Sequence, residues 1–169
     1  MEEDNIFVRI VFLICLILTN AFFAASEIAI ISLNDGKIKK MAEEGNKKAK
    51  QIAKLVSEPS KFLATIQVGV TLSGFLASAV AAEGFSGRVT EALYPFLNNV
   101  VSQDILSAIV LVIITCILSY FTLVFGELVP KRFAMQNCEA VSMFVIGFLT
   151  VFEKATRPFV KFLSFSTNG

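Results

Sequence analysis

The sequence has no histidine and no tryptophan in 169 residues, and only three cysteines and four prolines. Without histidine, the imidazole ligands of most zinc, iron and copper sites are missing, and so is the commonest general base. A membrane metalloprotease built on H-E-x-x-H is excluded outright. Cys15, Cys116 and Cys138 stand far apart in apolar stretches. They make neither a disulfide framework nor a metal cluster, and each reads as a buried small hydrophobe. Charged residues are few, at 17%, and unevenly placed: eight of the fifteen cations fall between Lys37 and Lys61, whereas 62–82 holds no charge at all. No nucleophile–base pair stands out, so an enzyme is not expected. A net charge of +1 gives no reason to invoke nucleic acid.

What the chain does have is apolar length, with 55% of its residues hydrophobic. Three runs, about 6–33, 62–82 and 105–129, match or exceed the roughly 20 residues a helix needs to span hydrocarbon. The fold class expected is therefore an all-α integral membrane protein with three transmembrane helices, located in the cell membrane. The start, Met1-Glu2-Glu3-Asp4, is acidic where a cleaved signal peptide would be basic. Between about 35 and 57, apolar residues at helical spacing alternate with lysines. Asn34-Asp35-Gly36 marks a turn before this stretch, and Gly45-Asn46 divides it into two pieces. Such a basic amphipathic segment belongs flat on a membrane surface, and its lysines put it on the cytoplasmic side. Ser57-Glu58-Pro59-Ser60 offers a helix cap before Lys61. The stretch 83–103, with Gly84, Gly87, Pro95 and Asn98-Asn99, reads as an extracytoplasmic loop holding a short helix. Three crossings place the N-terminus outside and the C-terminus in the cytoplasm. The apolar part of 137–163 is short and is followed by Lys154, Arg157 and Lys161, so it reads as a second juxtamembrane helix. The whole of 1–169 reads as one transmembrane domain belonging to a longer chain, its C-terminal cytoplasmic domains absent.

The chemistry gathers at Ser119–Arg132, S-Y-F-T-L-V-F-G-E-L-V-P-K-R. Pro130 has no N–H, so the carbonyl of Gly126, four residues back, loses its helical donor. Glu127 sits beside it at membrane depth, where an unpaired carboxylate costs about 2.5 kcal/mol or more. A bare carbonyl next to a carboxylate is one way to build oxygen ligands for a hard cation into a broken helix. The alternative is a kinked helix end whose Glu127 pairs with Lys131 at i+4. In the first run, Asn20 and Glu27 share one face. They read either as an interhelical hydrogen bonder with an interfacial charge or as part of an ion path. Gln67, Thr71, Gly74 and Ser78 form a polar and small stripe on the second run, and Thr115, Ser119, Thr122 and Gly126 form another on the third. Each stripe is either helix-packing surface or, where it meets Glu127, a source of oxygen ligands.

Three segments carry a family likeness: N-A-F-F-A-A-S-E-I-A at Asn20–Ala29, G-F-L-A-S-A at Gly74–Ala79, and F-G-E-L-V-P-K at Phe125–Lys131. Together they resemble the transmembrane domain of the CorC/cyclin M magnesium transporters over nearly the whole chain. The resemblance implies a homodimer in the lipid bilayer, with juxtamembrane helices forming a belt. It also implies export of Mg²⁺ coupled to Na⁺, with the dehydrated ion held near the membrane centre, and ATP bound only by cytoplasmic domains beyond this chain. Ser26 matches the serine of the first motif and Glu127 the acidic residue of the third. Many members carry G-N-N-L-x-N in the second helix, where this chain has Gly69 to Gly74 without amides, leaving Thr71, Ser73 and Gln67 as oxygen donors. The expected metal set is thus Asn20, Ser26, Gln67, Thr71, Ser73, Gly126 and Glu127. The second reading is a non-transporting scaffold or sensor that signals to the missing cytoplasmic domains.

Overall fold

The computed structural model describes residues 2–168, with side chains from residue 5 onward, so the acidic side chains at 2–4 lie outside the described residues. The first apolar run forms one helix, α1 (Glu2–Ile31). The side chain of Asn34 then accepts the Lys37 N–H at 3.1 Å and caps α2 (Asp35–Glu43). Gly45, at φ +96°, reverses the chain in a conformation that L side chains rarely adopt. Asn46 caps α3 (Lys47–Val56) as Asn34 caps α2.

The expected side-chain cap from Ser57 or Glu58 is not formed. Pro59 instead begins α4 (Pro59–Ala81) at the first helical position, where a missing N–H has no intrahelical partner to lose. The loop expected over 83–103 is also mostly absent. A π-helical turn, Ala82–Ser86, carries α4 into α5 (Gly87–Leu97), so helix continues from 59 to 97. Gly84 and Gly87 suggested a break, yet Gly87 has ordinary helical dihedrals. Gly84 instead provides room: a Cβ there would meet the Arg9 Cδ at 3.0 Å. Ser102 caps α6 (Gln103–Leu123), a second π turn (Val124–Leu128) leads into α7 (Val129–Gln136), and α8 (Cys138–Asn168) comes last. Among the described residues there is no strand. Three segments, Asn5–Ile31, Pro59–Leu97 and Gln103–Gln136, are long and apolar enough to cross a membrane.

α1 is the centre of the packing, touching α4, α7, α8 and the second π turn. Ala24, Ser26 and Ala29 are almost wholly buried on it, small side chains that let helices approach closely. The main apolar core joins Phe23 and Ile30 of α1 to Ile38 of α2, to Ile52 and Leu55 of α3, to Phe62 and Ile66 of α4, and to Val145, Ile146 and Leu149 of α8. The apolar underside of the lysine hairpin α2–α3 is therefore covered by protein. Its packing partner is chiefly α8, which lies against α3. Lys37–Glu139 at 2.6 Å, exposed, and Lys61–Glu153 at 3.3 Å, partly buried, add ties to α8; ion pairs open to solvent contribute little.

The cysteine reading needs correcting too, since Cys15 and Cys116 are exposed. On α6, Ile109, Val112, Ile113 and Ile117 are exposed as well. In hydrocarbon an apolar side chain gains nothing by moving from lipid into protein, so apolar character stops predicting burial.

Gly69 places the α4 backbone against the Phe23 ring, where an added Cβ would lie 2.7 Å from ring carbons. That ring is itself held by Phe152, with centroids 4.8 Å apart. Gly69→Ala should lower the thermal unfolding midpoint in detergent, consistent with about 1–3 kcal/mol of overpacking. Gly147→Ala, with nothing within 4 Å of the new Cβ, should leave the midpoint unchanged or raise it.

Candidate functional site

The site begins with the missing N–H of Pro130. An α-helix would pair Val129 N–H with the carbonyl of Phe125, but here Val129 N–H reaches back to Val124 O, and the chain makes one π turn. The Gly126 carbonyl does not stay bare, as the sequence suggested. Asn20 of α1 donates its Nδ2–H to it at 3.2 Å, in a buried contact. An added Cβ at Gly126 would lie 2.9 Å from that same nitrogen, so glycine is what allows the approach. The Oδ1 of Asn20 is buried and has no partner among the described residues.

Glu127, half-buried, faces the other way. It lines an open cleft of about 540 Å³ between α4 and α6, together with Thr71, Gly74 and Ser78 of α4 and Ser119 and Thr122 of α6, with Val70, Phe75, Leu118 and Leu123 as its apolar walls. The two stripes read from spacing thus meet across this cleft. Among the described residues lining it, Glu127 is the one carboxylate. The hydroxyl oxygen of Thr122 is buried without a partner there. Buried polar atoms are seldom left unpaired, and such an oxygen suits a cation or a water. Lys131 does not pair with Glu127: its Nζ lies 3.9 Å from Oε2 of Glu27. Among the described residues Glu127 has no ion pair.

The other expected site residues fall into two groups. Gln67 donates its Nε2–H to the Thr71 hydroxyl at 2.9 Å, which ties it to the cleft at one remove. Ser26 and Ser73 are buried, but their hydroxyls donate to the carbonyls of Phe22 at 2.6 Å and Gly69 at 2.8 Å on their own helices. Neither lines the cleft. Ser78, Ser119 and Thr122 do line it. The helical spacing marked all three, but nothing in one sequence separates a stripe facing a cavity from one facing a helix.

A family model for the cyclin M transmembrane N-terminal domain matches residues 10–169. The chain belongs to that family. It is 33% identical over 171 residues to a UPF0053 protein of Synechocystis sp., covering 100% of this chain and 37% of that protein. It is 32% identical over 157 residues to the UPF0053 protein YhdP of Bacillus subtilis, covering 93% of this chain and 35% of that one. A Haemophilus influenzae protein named polyamine export protein is 24% identical over 164 residues, covering 97% of this chain and 37% of its own length. This cyclin M domain thus spans little more than a third of the length of these relatives.

The Asn20–Gly126 bond in this cyclin M domain can be measured through its coupling. Asn20→Ala leaves a buried carbonyl unpaired, at a cost of about 1–3 kcal/mol. Gly126→Ala drives a methyl into the Asn20 amide and breaks the same bond. The double variant should cost less than the two single costs added, by about 0.5–3 kcal/mol. Thermal or denaturant unfolding of all four proteins in one detergent gives this figure, and strict additivity would show that the two residues do not act together.

Proposed function

We propose that this chain is the membrane part of a cation exporter that carries Mg²⁺, stripped of water, through the cleft between α4 and α6. The observation that carries the reading is Glu127, a carboxylate with no cation paired to it among the described residues, in a cleft that hydroxyls from two helices line. Mg²⁺ takes oxygen ligands, usually from one or two carboxylates together with neutral oxygens. Glu127 supplies the charge, and Thr71, Ser78, Ser119 and Thr122 supply the hydroxyls. The working unit in this reading is a homodimer with its N-terminus outside, and Na⁺ entry drives export. Nucleotide control belongs to cytoplasmic parts of the full-length protein. Asn20 and Gly126 act as the hinge support, holding the π turn so that Glu127 keeps its aim.

A second cargo is favoured by the cleft's size. About 540 Å³ is far more than one bare ion fills, given that a water occupies about 30 Å³ in the liquid. A linear organic cation would fit such a space, and one relative is named for polyamine export.

Proteoliposomes loaded with a Mg²⁺-sensitive dye, run beside vesicles loaded with labelled spermidine, separate the two cargoes. Glu127→Gln keeps the shape and removes the charge, and it should reduce flux of the true cargo at least tenfold at equal reconstitution. Unchanged flux would eliminate the role given to Glu127. Flux of neither cation by the full-length wild type would leave the scaffold reading standing.

A further inference from the structure

We propose that the hairpin α2–α3 is a binding site for an anionic phospholipid, with an acyl chain in an apolar groove at its base and the phosphate on the lysines at its rim. This goes beyond the transport reading and does not depend on it. The groove has a volume of about 300 Å³; the partly exposed Leu33, Ala53 and Val56 line it, over the buried Ile38 and Ile52. Lys39 stands at the rim. Lys50 and Lys54 fall on the same flank of α3 as the groove residues Ala53 and Ser57, three or four positions away.

The occupant is set by position and charge. Leu33 lies two residues beyond the end of α1, and Val56 lies three before Pro59, where α4 begins. The groove therefore opens at the level where two membrane-crossing helices end, which is where acyl chains meet headgroups. Between 35 and 56 the hairpin carries seven lysines against three carboxylates. Two of those, Glu43 and Glu44, lie at the turn beside Gly45, far along the sequence from the base; Asp35 alone sits at the groove. Lys39, Lys50 and Lys54 are exposed, and among the described residues only Lys37 of this hairpin forms an ion pair.

An apolar slot with a cationic rim matches an amphiphile that bears an anionic head. The mode differs from an amphipathic helix sinking into the bilayer, because α8 already covers the hairpin's apolar face. Recognition should therefore depend on headgroup charge and weaken in salt.

The test uses the whole chain in nanodiscs of phosphatidylcholine with a minor share of phosphatidylglycerol, with subsequent detergent purification and mass spectrometry of the retained lipid. The wild type should retain phosphatidylglycerol at about tenfold over its share in the bilayer, well within what three lysines at a surface can supply. High salt during purification should reduce this. Lys39→Gln/Lys50→Gln/Lys54→Gln should bring the ratio close to one, while the corresponding triple arginine variant keeps the enrichment. Circular dichroism and the thermal midpoint should be the same for all three proteins, since the lysines are exposed. Equal retention of both lipids overturns the proposal. So does an enrichment untouched by the glutamine substitutions, which would leave the lysines to an acidic protein segment. Displacement by inorganic phosphate alone, at matched concentration, would assign the rim to a free anion and overturn it as well.

Discussion

The hydrogen bond from Asn20 to the Gly126 carbonyl, 3.2 Å long and buried, is where a gap made by one helix is closed by another. Pro130 takes a donor out of the third helical run, and in hydrocarbon no water replaces it. A carbonyl left alone there costs several kcal/mol. α1 supplies the missing N–H from a side chain, which demands that the two backbones come close, and only a glycine at 126 leaves the room. The chain thus carries three residue choices, Asn20, Gly126 and Pro130, that make sense only together. They fix where α1 meets the second π turn, and α1 in turn holds α4 through the contact of Gly69 with Phe23. Much of the helix arrangement follows from these two close approaches.

The same bond sets the direction of Glu127. Neighbouring residues on a helix point about 100° apart, so when Gly126 faces α1, Glu127 has to face elsewhere. Here it faces the cleft between α4 and α6. One break in the helix accordingly does two jobs. Its carbonyl side anchors the helix to α1, and its acidic side looks into a space lined by hydroxyls. A carboxylate at this depth is expensive to keep, and nothing in the packing of α1, α4 or α6 requires it.

Helical periods and the proline carried most of the fold in the sequence alone. The all-helical class, three long apolar helices, a divided lysine hairpin and the irregularity near Pro130 were all legible because each follows from local chemistry. What failed depended on neighbours. Gly84 looked like a helix breaker, but it makes room for Arg9 from another helix. The packing of Val145, Ile146 and Leu149 against the hairpin was not legible, because they lie about a hundred positions further on. Asn20 read as an interhelical hydrogen bonder or part of an ion path, and its partner, the Gly126 carbonyl, lies 106 positions away on another helix. Cys15 and Cys116 misled for a different reason: burial rules taken from water do not hold where the solvent is lipid.

Lys131 shows how one inserted residue redistributes charge. In an unbroken α-helix Glu127 and Lys131, four apart, would be neighbours on one face and would pair. A π turn places an extra residue in the cycle and rotates the helix beyond it relative to the helix before it. Lys131 then comes to lie near Glu27 of α1, at 3.9 Å, a separation too long to hold either side chain firmly. The rotation thereby relieves Glu127 of the cation its own sequence provides. Had the helix been regular, the acidic group would have been neutralised within its own turn, and the cleft would hold only hydroxyls. The proline and the glycine therefore shape more than the backbone, because they decide which of two carboxylates the lysine serves.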